Sequence, residues 1–206
     1  MTEPSLAVRE RASLAEFLEK LGPDAPTCCE GWTTAHLAAH VVVRDSRPDA
    51  MPGFGVERFW ADGPLSRWSH RLEDRTRTGT AYPELVARVR SGPPAWSPVR
   101  LPAVDRLVNG SEFVIHHEDV RRAQPGWAPR ALPLPDQDEL WRLVTGFARL
   151  SRRPLVLRRS DATGVEHRVG SGTPRTVTGE PLELLLWLSG RRSVARVDVS
   201  GGDPSA

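Results

Sequence analysis

The stretch GSEFVIHHEDVRR, residues 110–122, sets three carboxylates and two adjacent histidines into the eight positions from Glu112 to Asp119, with Phe113, Val114 and Ile115 between them. Val104, Leu107, Val108, Ser111, Ile115 and Val120 recur at helical spacing, which predicts a helix over 103–123. Gly110 inside it costs about 1 kcal/mol relative to Ala. Glu112 and His116 then lie one turn apart on one face, with Asp119 close to the same face. His117 falls about 100° further round and reads as a surface histidine. Glu118 reads as pointing to solvent. A Glu and a His one turn apart can offer an oxygen and a nitrogen to one metal ion, which needs at least one more ligand. The same spacing also suits an ordinary charged helix face.

Upstream, CEGWTTAHLAAHVVVRD (29–45) predicts a second helix, capped by Thr33 or Thr34 and carrying Leu37, Val41 and Val42 inward. His36 and His40 are one turn apart on it. His40 lies in an apolar run, where a histidine can be a ligand or a satisfied core residue; His36 reads as solvated. Two helical sites on separate helices support each other, because helix-borne Glu and His build metal sites in bundle cores.

Leu6, Leu14, Phe17, Leu18 and Leu21 predict a first helix over 6–21, and further helical pieces are expected at 65–77, 81–91 and 136–149. Pro-rich loops separate them. After SRRP the pattern changes. LVLRRSD and EHRVGSG read as strands around the turn DATG, GEPLELLLWLSG as a short apolar helix, and SVARVDVSGG as a strand. The expectation is an α+β chain: a helical metal-binding domain over 1–152 and a small α/β domain over 153–206.

Composition excludes several classes. Hydrophobic residues make up 39% of the 206, enough for a packed core, and the formal net charge is +2. The basic residues are nearly all arginine, Lys20 being the lone lysine, and no basic stripe with interleaved aromatics suggests nucleic acid. The N-terminus is charged throughout, unlike a signal peptide, and no segment approaches the ~18 apolar residues of a membrane span. The two cysteines, Cys28 and Cys29, are adjacent, which suits neither a disulfide nor joint ligation of one ion. They read as ordinary thiols near a site entrance in a reducing cytoplasm. Trp32, Trp60 and Trp68 read as core anchors.

CEGWTTAHLAAHV together with EFVIHHEDV resembles the DinB/YfiT-like metal-binding bundles, and most closely the mycothiol-dependent maleylpyruvate isomerase-like branch. Trp32, Thr33, His40, Glu112, His116 and Asp119 match that pattern. Many DinB-like relatives carry a third histidine where Glu112 stands, so Glu112 favours this branch. VTGEPLELLLWLSGRR resembles the branch's small C-terminal domain. VVRDSRPDA (42–50) matches a subgroup of unassigned substrate. His36 departs from the family, which often has an acidic residue there, and a capping interaction is expected to be lost.

The resemblance implies a DinB-like four-helix bundle and a divalent metal, zinc by ligand type, at His40, Glu112 and His116, with the fourth position open. Asp119 would accept from the free nitrogen of a ligand histidine. Such a site implies use of a small thiol, mycothiol in the named relatives, against a small electrophile in an isomerase or transferase reaction. Arg44 and Arg47 could bind a substrate carboxylate, or pair with Asp45 or Asp49. A zinc hydrolase using His117 or Asp119 as base, and a non-catalytic metal- or ligand-binding protein, are the alternatives.

Overall fold

The computed structural model describes residues 4–46, 64–97, 110–151 and 154–201. Among these the chain is α+β, with seven helices and one four-stranded sheet. The helices are α1 (Leu6–Leu21), α2 (Thr34–Ser46), α3 (Pro64–Gly79), α4 (Tyr82–Ser91), α5 (Gly110–Arg122), α6 (Leu134–Ala148) and α7 (Pro181–Leu188). The expected start of α5, Arg47 and Trp60 lie outside the described residues. No helix among these is long and apolar enough to cross a membrane.

The chain divides into two compact units, Met1–Trp127 and Ala128–Ala206. The sequence pattern changes near Pro154, but the division falls earlier. The reason is α6, whose Gln137 Nε2 donates to Glu180 Oε2 at 2.8 Å and whose Gln137 Oε1 accepts from Leu182 N at 3.1 Å. A helical pattern alone does not say which neighbour the helix packs on.

In the first unit, α1 starts at Ser5, whose hydroxyl accepts from Val8 N, and stops at Gly22, whose φ of +77° is available to glycine at no steric cost. Leu14, Ala15 and Leu18 of α1 meet Leu37, Ala38 and Val41 of α2, Leu85 and Val89 of α4, and Phe113 and Val120 of α5 in one core. Each fully buried leucine removed from water contributes about 1.5–3 kcal/mol. Gly92 ends α4 at φ +75°, and a Cβ there would collide with the Arg11 guanidinium. That guanidinium is pinned, 3.1 Å from Asp45 and 4.2 Å from the Phe113 ring centroid. Gly92→Ala is therefore expected to destabilise the fold by about 1–3 kcal/mol, measurable by denaturant unfolding.

The start of α2 corrects the expectation of a lost cap. Thr33 precedes the helix, and its backbone N–H donates to His36 Nδ1 at 3.2 Å. The imidazole thus takes the place of the acid in a capping box. This requires a neutral ring. Burial, then the nearby Arg77, lower the His36 pKa, against the opposing pull of Asp74 and Glu73. The folded chain therefore binds fewer protons here than the unfolded one. The cap's contribution is fully present above the unfolded histidine value, about 6.5, and is lost as pH falls through the lower folded value. His36→Gln, which keeps an acceptor without titrating, is expected to flatten the fall in melting temperature below about pH 6.5 while leaving neutral-pH stability within about 0.5 kcal/mol.

In the second unit, β1 (Leu155–Arg159) pairs antiparallel with β2 (Glu166–Val169) and parallel with β3 (Arg175–Gly179), and β3 pairs antiparallel with β4 (Asp198–Gly201), giving the order β2-β1-β3-β4. Leu182, Leu184, Leu185 and Leu186 of α7 are fully buried. Strand β3 was not expected; its alternating RTVT carries a single apolar side chain, Val177, which is fully buried. The last strand is shorter than expected, since residues 192–194 form a turn and 195–197 join no strand before β4.

Candidate metal centre

Helices α2, α3 and α5 supply the polar side chains that converge inside the first unit. His40 and His116 are 7% and 6% exposed, and their ring centroids are 5.0 Å apart in an edge-to-face arrangement. One ligand atom each from His40, Glu112 and His116 lie within 4.8 Å of one another. The structure thus brings together the three residues that the sequence pairs across two helices.

Each histidine is oriented by a carboxylate. Glu73 Oε1 lies 2.6 Å from His40 Nδ1, and Asp119 Oδ2 lies 3.0 Å from His116 Nδ1. A carboxylate accepts only, so both rings carry a proton on Nδ1 and can turn Nε2 inward. Sequence reasoning missed Glu73, since nothing in its spacing links it to a histidine 33 positions away. His116 Nε2 is buried without a hydrogen-bond partner and sits 3.3 Å from Glu112 Oε2. A buried imidazole nitrogen in that condition costs free energy unless a proton or a cation meets it. This orphaned atom, between a carboxylate and a second histidine, is what fits the residues to a divalent metal.

Electrostatics divide the two rings. Burial dominates at His40 and lowers its pKa, although the Glu73 hydrogen bond pulls upward. At His116 burial also lowers the pKa, but the Asp119 hydrogen bond, Cys29 and the nearby Glu112 carboxylate outweigh it and raise it well above the ordinary value. Burial raises the Glu112 carboxyl, yet Arg44, helped by both histidines, holds it well below the usual carboxylate range.

Arg44 pairs with Glu112 and is 9% exposed; Asp45 holds Arg11 at 3.1 Å, and Asp49 lies outside the described residues. Arg47 lies outside the described residues. A cavity of about 10 Å³, room for one small group, is lined by Val41, Arg44, Asp45, Glu112, Phe113 and His116. A larger one of about 220 Å³ has Trp32, His36, Glu73 and Arg77 in its wall. The Trp32 ring centroid is 5.2 Å from that of His40, so Trp32 both anchors and borders the site.

No family profile and no curated protein matches the chain. Two solved structures do: a histidine-to-alanine mutant of the mycothiol-dependent maleylpyruvate isomerase, 19% identical with a TM-score of 0.59, and the same isomerase without that description, 19% identical with a TM-score of 0.50. Each alignment covers 97% of this chain and 92% of the other. The folds are related. At 19% identity the likeness carries no residue roles with it.

Three expectations about α5 and its surroundings are corrected. His117 is not on the surface: it is 3% exposed, and its Nδ1 lies 2.7 Å from Glu10 Oε2 of α1. Glu118 does not face solvent: it is fully buried and holds Arg121 and Arg122. Helix α1 covers α5 at His117, through Glu10 and the Phe17 ring, and Glu118 is enclosed with the arginines one turn on in its own helix. Cys29 is not an ordinary thiol, because its Sγ donates to Asp119 Oδ2 at 3.2 Å.

Proposed function

We propose that this chain is a divalent-metal protein of the DinB-like four-helix-bundle kind, with zinc at His40, Glu112 and His116, and that it acts as a thiol-dependent isomerase or transferase on a small electrophile. The observation that carries the reading is the buried, partnerless His116 Nε2 facing Glu112. Two imidazoles and one carboxylate suit zinc and leave a fourth position open. Bound there, the metal would supply the positive charge that favours the thiolate form of a small thiol. Mycothiol is the thiol named in the related structures, and by that analogy it is the co-substrate proposed here.

The chain's own residues then have separable roles. Glu73 and Asp119 fix the tautomers of His40 and His116. Glu112 offsets part of the metal's charge. Arg44 holds Glu112 and turns a guanidinium toward the small cavity, where it can meet a substrate carboxylate. The about 220 Å³ cavity behind Trp32 and Glu73 gives room for part of a small ligand. The proposed setting is the cytoplasm, where both cysteines stay reduced.

Arg44 places a positive charge beside the cation, so removing it has two opposite effects. Arg44→Met is expected to tighten zinc binding about tenfold, read by competition with a chromogenic chelator, because Arg44 is buried and its repulsion is screened less than at a surface. The same variant is expected to raise KM for carboxylate-bearing electrophiles. The test of the reaction class is a panel of activated electrophiles with mycothiol, bacillithiol, glutathione or no thiol, on zinc-loaded protein and on His40→Ala. Turnover should need both thiol and metal. Rates independent of thiol would remove the thiol reading and favour hydrolysis.

A further inference from the structure

We propose that Cys29, His116 and Asp119 form a second cation position, selective for soft, thiophilic metal ions, that competes with the first for His116. The three donors come from two segments: Cys29 from the loop before α2, His116 and Asp119 from α5. One ligand atom from each lies within 4.8 Å of the others. Cys29 Sγ is 3.2 Å from Asp119 Oδ2, which is 3.0 Å from His116 Nδ1. Ligands bound at about 2.0–2.3 Å in tetrahedral geometry stand roughly 3.3–3.8 Å apart, so small outward shifts would admit an ion.

The loop is held for this. Cys28 N–H donates to the Asp119 carbonyl at 2.9 Å, which ties the loop to α5. Cys29 N–H donates to Thr27 Oγ1 at 3.2 Å, and Trp32 N–H to the Cys29 carbonyl at 3.0 Å. Cys29 is half-buried while Asp119 is 1% exposed, so the donor set reaches from the surface inward.

The donor chemistry differs from that of the first site. A thiolate selects soft ions such as cadmium or cuprous copper, whereas two imidazoles and a carboxylate are borderline to hard. The two positions also use opposite nitrogens of one ring. A neutral imidazole has one N–H and one lone pair. An ion on Nδ1 displaces the Asp119 hydrogen bond and leaves the proton on Nε2, which then has no lone pair for the first site. Binding releases the Cys29 thiol proton to solvent, together with the Nδ1 proton where the metal-free ring carries two, and oxidises nothing. The thiolate position stands on its own geometry. The antagonism rests on the reading of His116 as a ligand of the first site.

Cadmium titration of the reduced full chain, followed by the ultraviolet thiolate-to-cadmium charge-transfer band and by zinc released, tests both parts. The band should appear in the wild type, persist in Cys28→Ser and Glu112→Gln, and vanish in Cys29→Ser. Zinc should leave the wild type in step with the band, and Cys29→Ser should keep its zinc at low cadmium. No band, or an equal band in Cys29→Ser, overturns the position. A Cys29-dependent band with no loss of bound zinc overturns the antagonism. A Cys29-dependent band in a protein that binds no zinc upholds the position and overturns the first-site reading instead.

Discussion

His116→Ala is expected to reduce bound zinc from one ion per chain to background, and His40→Ala to do the same. Losing an outer partner of a ligand typically costs about 10–100-fold in metal affinity; losing a ligand from a three-ligand site should cost more. The wild type should gain about 2.7 kcal/mol of stability at a free-zinc concentration near 100 times Kd, and the variants none. Thermal melts with and without zinc check this together with elemental analysis, and melts without zinc show whether each variant folds. If both variants retain full metal, the ligand assignment is wrong. Asp119→Asn should give an intermediate loss, about 10–100-fold. The pH dependence follows from His116. Its raised pKa means the metal-free ring holds a proton that zinc must displace. Affinity should therefore climb with pH through neutrality, by up to about tenfold per unit. His40, with its lowered pKa, is already neutral there and adds no dependence.

Much of this site was legible because helices carry their own geometry. Spacing by four places Glu112 beside His116, and the neighbouring apolar residues place His40 inside. Observed α1, Leu6–Leu21, matches the span that its periodic leucines predict. What spacing cannot encode is which distant side chain meets the back of each ring. Asp119 was accessible, since it shares a helix with His116. Glu73 was not, and for Cys29 only the neighbourhood of a site entrance was legible and not its bond to Asp119, because each reaches its partner only once other helices or loops pack. The pairing of His117 with Glu10 fails for the same reason: residues 107 positions apart in sequence meet only after α1 covers α5.

His36 shows a different limit. A residue-type rule about acids at the third helix position predicted a missing cap, but the rule concerns an acceptor atom, and a neutral imidazole nitrogen is one. In the second unit, β3 was overlooked because only Val177 is apolar in RTVTG. The parallel pairing of Leu157 with Val177 makes it a central strand whatever its own propensity.

Glu118→Ala is expected to be the most destabilising single change in the first unit, by about 3–5 kcal/mol. Glu118 is fully buried, as is the Arg122 side chain that pairs with it. Arg121 adds two hydrogen bonds to the same carboxylate at 3.0 and 2.9 Å. Arg122 also lies over the Trp127 ring, 4.9 Å from its centroid. A buried ion pair need not stabilise a fold relative to well-packed apolar residues. Removing only the anion is different, because it takes a fully buried ion-pair partner from a guanidinium that water cannot reach. A loss of that size should lower the melting temperature by more than about 10 °C in a unit of this length. Glu118→Gln keeps the shape and some hydrogen bonds, and should cost less than Ala but well over 1 kcal/mol. Chemical denaturation at neutral pH checks both. The zinc content of the folded fraction should stay unchanged, since Glu118 supplies no ligand atom to the His40, Glu112 and His116 cluster. A cost under about 1 kcal/mol for Ala would mean that the carboxylate is solvated, as exposed ion pairs are.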